Sequence, residues 1–182
     1  MLCKVPFNGF PCGQCIPCRI NLRRVKASRI MFEAAYYDEK SFLTLTYDDE
    51  HVPRHGNSYT LCPDHLTDFW KRLRYYYPPR SIYYYACGEY GHEGSRQWNP
   101  HYHAALFGLQ CLGKQQRPDT YPRCYCKNCE FVREVWGHGN ITLDELSETS
   151  AGYICGYVLK KLTAADDHPS DRDWETNSQF LQ

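Results

Sequence analysis

Two histidines one residue apart, His101 and His103, stand in Pro100-His101-Tyr102-His103-Ala104-Ala105-Leu106-Phe107-Gly108. The run reads as a β-strand, on which successive side chains point to opposite faces, so the two imidazoles share one face with roughly 6–7 Å between their Cα atoms. Imidazoles so placed can converge on one divalent ion, although a half-exposed pair on a sheet has the same pattern. Glu89 lies near the end of the preceding strand, and a polar, Gly-containing loop from Gly91 to Asn99 can return the chain so that carboxylate and imidazoles face one another. An ordinary surface glutamate is the alternative. Two imidazoles and one carboxylate with open positions suit Mg²⁺ or Mn²⁺ better than a closed tetrahedral zinc site.

A second constellation lies downstream. Ser150-Ala151-Gly152-Tyr153-Ile154-Cys155-Gly156-Tyr157-Val158-Leu159-Lys160-Lys161 reads as helix, with Tyr153, Tyr157 and Lys160 at i, i+4 and i+7 on one stripe. Tyrosines at helical spacing are commonly core residues. Here the stripe ends in a lysine, while Ile154, Val158 and Leu162 form a separate apolar stripe able to bury the helix.

The chain has 11 cysteines. Cys3, Cys12, Cys15 and Cys18 give C-x8-C-x2-C-x2-C, and Cys111, Cys124, Cys126 and Cys129 give C-x12-C-x-C-x2-C. An odd count in tight clusters argues against a secreted disulfide scaffold and for metal. Four thiolates within a short loop suit structural Zn²⁺. The first cluster is also close to iron–sulfur spacing but lacks the nearby fourth cysteine followed by proline; free or oxidised thiols are the remaining reading. Cys62, Cys87 and Cys155 read as single core cysteines.

These residues must be positioned by a small fold. A chain of 182 residues suits one domain, and no stretch of 18 or more apolar residues is present, so a soluble, intracellular protein without membrane contact is expected. The 21 Lys+Arg balance the 21 Asp+Glu, yet the charge is polarised. Arg19, Arg23, Arg24, Lys26 and Arg29 occur with no acid among them, whereas Asp166, Asp167, Asp171, Asp173 and Glu175 face only Arg172 in the tail. The basic run is either a solvated helix face or a surface that tracks phosphates. Periodicity predicts helices over 19–37, 63–77, 130–136 and 148–162 and strands over 42–47, 82–90, 101–109 and 140–143, an α+β pattern, with a polar, mobile tail from 164.

His-x-His on a strand with Tyr-x3-Tyr-x2-Lys on a later helix resembles the HUH endonucleases, which nick single-stranded DNA through a tyrosine. Ser41-Phe42-Leu43-Thr44-Leu45-Thr46-Tyr47, Tyr83-Tyr84-Tyr85-Ala86-Cys87-Gly88-Glu89-Tyr90-Gly91, Pro11-Cys12-Gly13-Gln14-Cys15-Ile16-Pro17-Cys18-Arg19 and Val135-Trp136-Gly137-His138-Gly139 look like segments of the rolling-circle replication initiators of gokushovirus-type microviruses. The motifs run in order from residue 3 to residue 161, nearly the whole chain.

The resemblance implies a central antiparallel sheet with flanking helices, a ferredoxin/RRM-like core. The endonuclease domain would cover 1–163, with a Cys-rich N-terminal segment (1–18) and a Cys-rich insertion (111–129), and 164–182 would be the tail. Glu89, His101 and His103 would hold the ion. Tyr153 or Tyr157 would attack a phosphodiester at a single-stranded origin, giving a 5′-phosphotyrosine and a free 3′-OH, with Lys160 easing ionisation of the phenol or stabilising the phosphorane. Tyr157, nearer Lys160, is expected to cut first. Host replication machinery would be a partner and the cytoplasm of a bacterial host the location. A plasmid relaxase, a tyrosine transposase and a non-catalytic zinc-ribbon DNA-binding module are the other readings. Proteins of this kind are usually longer, so a C-terminal portion can be absent here.

Overall fold

The computed structural model describes residues 3–77, 81–91, 99–113 and 123–160, except for the side chains of 157–160. The predicted tail, Leu162, most of the 91–99 loop and part of the Cys-rich insertion lie outside the described residues. The elements are α1 (Ile16–Ala34), β1 (Lys40–Thr46), β2 (Arg54–His55), β3 (Ser58–Tyr59), α2 (Pro63–Tyr76), β4 (Tyr83–Gly91), β5 (Asn99–Phe107), α3 (Lys127–Trp136), β6 (Ile141–Asp144) and α4 (Glu148–Lys160).

Four strands form one antiparallel sheet in the order β4-β5-β1-β6, and β2 pairs with β3 in a separate hairpin. Alternation decides what each face carries. On β1, Ser41, Leu43 and Leu45 are buried on one face while Phe42, Thr44 and Thr46 are half-buried on the other. The first face is covered by α2, whose Leu66, Phe69, Trp70 and Leu73 fall at i, i+3, i+4 and i+7, and by α3 through Val132 and Trp136. Over the second face lie α1 and α4, which bury Ile30, Ala34, Ala151, Ile154 and Cys155 against Ala105 and Phe107. The fold is therefore α+β, an antiparallel sheet between two helical layers.

Local chemistry sets the boundaries. α1 begins three residues earlier than its charge pattern predicts, because Cys15 is extended (ψ 155°) and Pro17 in the first turn fixes a helical φ. It ends before Tyr37, where Lys40 Nζ donates to the carbonyls of Ala34 and Tyr37, both at 2.9 Å. α3 stops at Gly137, which is left-handed at φ 67°. Beyond it, the 138–140 segment lies along the end of β1: the amides of Thr46 and Asp48 donate to the carbonyls of Asn140 and His138 at 2.9 and 3.0 Å. Gly139 makes that approach possible, at φ 146°, since an added Cβ would stand 2.5 Å from the Thr46 oxygen. Trp136 Nε1 donates to the same oxygen at 3.0 Å. Among the described residues no helix is long and apolar enough to cross a membrane.

Candidate metal and nucleophile site

β5 lies between β4 and β1, and the register places Glu89 directly opposite His101 and Cys87 opposite His103, with Thr46 and Thr44 opposite the same histidines on the other side. His101, His103 and Glu89 consequently share one face. Glu89 Oε2 stands 3.3 Å from His101 Nε2 and 3.2 Å from His103 Nε2. One ligand atom from each of the three lies within 4.8 Å of the others.

The outer nitrogens fix the rings. His101 Nδ1 donates to the Asn99 carbonyl at 2.9 Å, so in the neutral imidazole the Nε2 lone pair faces Glu89. His103 Nδ1 pairs with the Thr44 hydroxyl at 3.0 Å, and Phe42 stacks on the ring at 5.2 Å between centroids. Partners of this kind hold metal-binding histidines in tautomer and orientation.

Glu89 and His103 are each 6% exposed, and a buried carboxylate is rare without a compensating cation. Burial works against charge on His101, but the hydrogen bond to Glu89, the Asn99 carbonyl and the Glu89 charge together raise its pKa. His103 is shifted down, first by burial and further by the His101 charge, against the pull of Glu89. A proton or a cation between these groups satisfies the same geometry. The donor set could hold a divalent cation.

α4 brings the first predicted tyrosine to this point. Tyr153 Oη donates to Glu89 Oε2 at 3.3 Å, the oxygen both histidines face. Its ring meets His103 edge-on at 5.1 Å, and Phe42 also edge-on at 6.1 Å. The residue is 37% exposed. Ile154 is fully buried beside it, as the apolar stripe requires. Tyr157 and Lys160 occupy the next turns of α4; their side chains lie outside the described residues.

The basic residues divide. Arg24 and Arg29 are exposed on α1, and Arg19 and Lys26 are half-buried. Arg23 Nε donates to the Gly152 carbonyl at 2.7 Å, and its guanidinium lies close against Gly156, with Cζ 3.3 Å from where an added Cβ would stand. Gly152 and Gly156 thus form a notch in α4 for Arg23, one residue from the nucleophile candidate. Charge counting gives no sign of this contact. Asn99 likewise carries no motif signal, whereas Phe42 and Thr44 lie inside the Ser41–Tyr47 motif and share one face by the alternation of β1.

Each cysteine cluster closes on itself. Cys3, Cys12, Cys15 and Cys18 form one group and Cys111, Cys124, Cys126 and Cys129 the other, with sulfurs within 4.8 Å throughout each. Backbone amides point at the sulfurs, Cys12 N–H donating to Cys3 Sγ and Cys15 N–H to Cys12 Sγ at 3.3 Å. The Lys4 amide, with that of Cys18, lowers the Cys15 pKa to about 6. In the second group burial opposes ionisation of Cys126, but the amides of Cys129 and Leu112 outweigh it and bring the thiol to about 7. Each group thus gathers four sulfurs that could hold a metal ion, with one thiol, Cys15 or Cys126, held below the ordinary range. Cys155 is a core residue, while Cys62 and Cys87 are half-buried.

A sequence profile of the ORF2-type replication-associated protein family matches residues 40–162, which include every member of the Glu-His-His site and both tyrosines. The chain belongs to that family. It is 35% identical over 172 residues to "Replication-associated protein VP4" of Bdellovibrio phage phiMH2K, covering 89% of this chain and 51% of that protein. It is 32% identical to "Replication-associated protein ORF2" of Spiroplasma virus 4, over 87% of this chain and 50% of that protein. With "Replication-associated protein ORF4" of Chlamydia phage 1 the identity is 29%, over 94% of this chain and 44% of that protein. The chain therefore spans about half the length of the curated relatives it matches. No solved structure matches it.

Proposed function

We propose that this chain is the nicking and strand-joining domain of a rolling-circle replication initiator of a small single-stranded DNA phage, an HUH-type endonuclease acting in the cytoplasm of a bacterial host. The observation that carries the reading is the Tyr153 hydroxyl bonded to the Glu89 oxygen that both histidines face. Glu89, His101 and His103 would hold Mg²⁺ or Mn²⁺, which when bound neutralises charge on the scissile phosphate.

The protein's own groups supply the rest. Phe42 and His103 hold the Tyr153 ring edge-on, so the phenolic oxygen approaches the phosphate along one direction. That oxygen bonds to phosphorus, the bond from phosphorus to the 3′ oxygen breaks, and the net proton passes from the phenol to the released 3′ hydroxyl. The 5′ end remains on the tyrosine as a phosphodiester. Reversal by another 3′ hydroxyl rejoins strands with no added energy source. Tyr157, one turn along α4, would serve as the second nucleophile and Lys160 would stabilise the developing charge. The contact with Glu89 favours Tyr153 for the first cut, reversing the order suggested by closeness to Lys160. The two cysteine groups would hold structural Zn²⁺. Arg19, Arg24, Lys26 and Arg29 would contact phosphates, and host replication proteins would extend the 3′ end.

The test is incubation of the protein with labelled single-stranded DNA carrying the phage origin, in Mn²⁺, followed by denaturing electrophoresis and mass spectrometry of the DNA-linked peptide. A covalent adduct on Tyr153 in the first turnover, absent from Tyr153→Phe/Tyr157→Phe, is expected. An adduct on neither tyrosine, or nicking without any adduct, overturns the mechanism.

A further inference from the structure

The segment between Cys3 and Cys12 presents two phenylalanines that nothing in the described fold buries. Phe7 and Phe10 exchange both backbone hydrogen bonds, at 3.0 and 2.9 Å. They flank Asn8 and Gly9, whose φ angles are 47° and 80°, the left-handed pair that a two-residue hairpin demands. Residues directly opposite in such a pair carry their side chains on one side of the hairpin. The rings are 75% and 74% exposed, and neighbouring Val5 is 67% exposed. The two ends of the hairpin meet, the Cys12 amide donating to Cys3 Sγ at 3.3 Å, within the four-sulfur group that also includes Cys15 and Cys18. Cys18 lies in the first turn of α1, so the hairpin is fastened to the start of that helix.

The sequence that carries it is basic. Residues 1–32 contain Lys4, Arg19, Arg23, Arg24, Lys26 and Arg29 and no acid, the first being Glu33, in a chain whose formal net charge is zero. Exposed aromatic rings on a segment that leads into a helix with Arg24 and Arg29 exposed match the two things a single nucleic-acid strand offers, base faces and phosphates. The same helix is bonded to α4 through Arg23 and Gly152, next to Tyr153.

We infer that Phe7 and Phe10 form a base-stacking platform for single-stranded DNA, holding the strand outside the reaction centre while the α1 cations hold its phosphates. The inference rests on the single-stranded DNA reading given above. Stacking on the rings would be tolerant of sequence, because every base has a π face.

The probes are a fluorescent thymidine oligonucleotide of about 20 nucleotides and an abasic strand of equal length and charge, a span suited to a stacking surface plus a basic track. Binding of the full chain is read by anisotropy. Phe7→Ala/Phe10→Ala is expected to weaken the thymidine strand roughly tenfold or more, with the abasic strand unaffected and zinc content and circular dichroism unchanged. Phe7→Trp is expected to retain binding and to show fluorescence quenching on adding the thymidine strand.

Equal affinities of wild type and the double variant for the thymidine strand overturn the platform, as does an equal loss on the abasic strand. Loss of self-association in ultracentrifugation with DNA binding intact makes the rings a protein contact and also overturns it. If the wild-type chain binds no single-stranded DNA, the proposed function falls together with the platform. If the wild type nicks and the double variant binds as well as it does, only the platform falls.

Discussion

The two faces of the central sheet are built by alternate residues of the same strands and treat their polar groups in opposite ways. Below the sheet, against α2 and α3, Tyr102 Oη accepts from the Cys62 amide and donates to the Cys62 carbonyl, both at 2.8 Å, and lies 3.3 Å from the Tyr47 hydroxyl. Tyr47 in turn pairs with His65 Nδ1 at 3.2 Å, and Tyr90 accepts from the Leu61 amide at 3.1 Å. Burial raises the pKa of Tyr47 and Tyr102, so these phenols stay neutral and act as cross-links. Above the sheet, two imidazoles and a tyrosine hydroxyl gather on one buried carboxylate oxygen. The lower phenols are bonded to protein partners, whereas the upper groups converge three ligand atoms within 4.8 Å of one another. The shared strands show that chemistry and stability can be separated by a step of one residue.

Replacing the upper histidines should have the largest effect. His101→Asn/His103→Asn keeps amide donors beside Glu89 and is expected to reduce Mn²⁺-supported nicking by at least about a hundredfold, a loss beyond that typical for outer-shell partners. Metal-free thermal stability should change by less than about 1 kcal/mol. Normal nicking by this variant in excess Mn²⁺ would remove the site assignment.

On the lower face the outcome should invert. Tyr102→Phe strands the Cys62 amide and carbonyl and is expected to cost about 1–3 kcal/mol in denaturant unfolding, with nicking at permissive temperature unchanged. A nicking defect larger than the stability defect would mean that the two faces are coupled.

Arg23 tests the link between them and the helices above. Arg23→Met keeps much of the side-chain volume but loses the bond to Gly152. A several-fold fall in the single-turnover rate is expected, with little change in affinity for an abasic strand. The reverse pattern would make Arg23 a phosphate contact.

The smallest effect concerns pH at the far end of the lower face. His138 is held down to about 4, first by burial and then by His65 and Arg72, while its ring stacks on His65 at 4.3 Å between centroids. The folded value lies below the ordinary one of about 6.5, so the unfolded chain takes up this proton first. Stability from the neutral ring is present above about 6.5 and declines as pH falls toward about 4. His138→Phe should flatten the melting temperature across that window; an unchanged slope would assign it to other groups.

Much of this contrast is legible in the sequence because β-alternation depends only on spacing. His101 and His103 have to share a face, Tyr102 has to oppose them, and a return loop of the observed length brings Glu89 into register with His101. What escapes is pairing between segments distant in the chain. Arg23 and Gly152 are 129 residues apart, and nothing local marks an arginine that will lie in a glycine notch. Two hairpins also escape although each has a residue with positive φ in its turn, Asn8 and Gly9 between Phe7 and Phe10 and Gly56 between β2 and β3. Both are too short to show alternation, the property by which strands are recognised in a sequence.

Gly139 gives the fold a mutational weak point that carries no reactive group. Even alanine there would drive a methyl into the Thr46 carbonyl at the end of β1, the strand whose Thr44 orients His103. In the proposed mechanism, loss of activity at this codon would look like damage to the catalyst while leaving every proposed ligand and nucleophile unsubstituted. Selection at such a position acts on a backbone gap, so the codon is closed to change for reasons that an inventory of functional side chains does not contain.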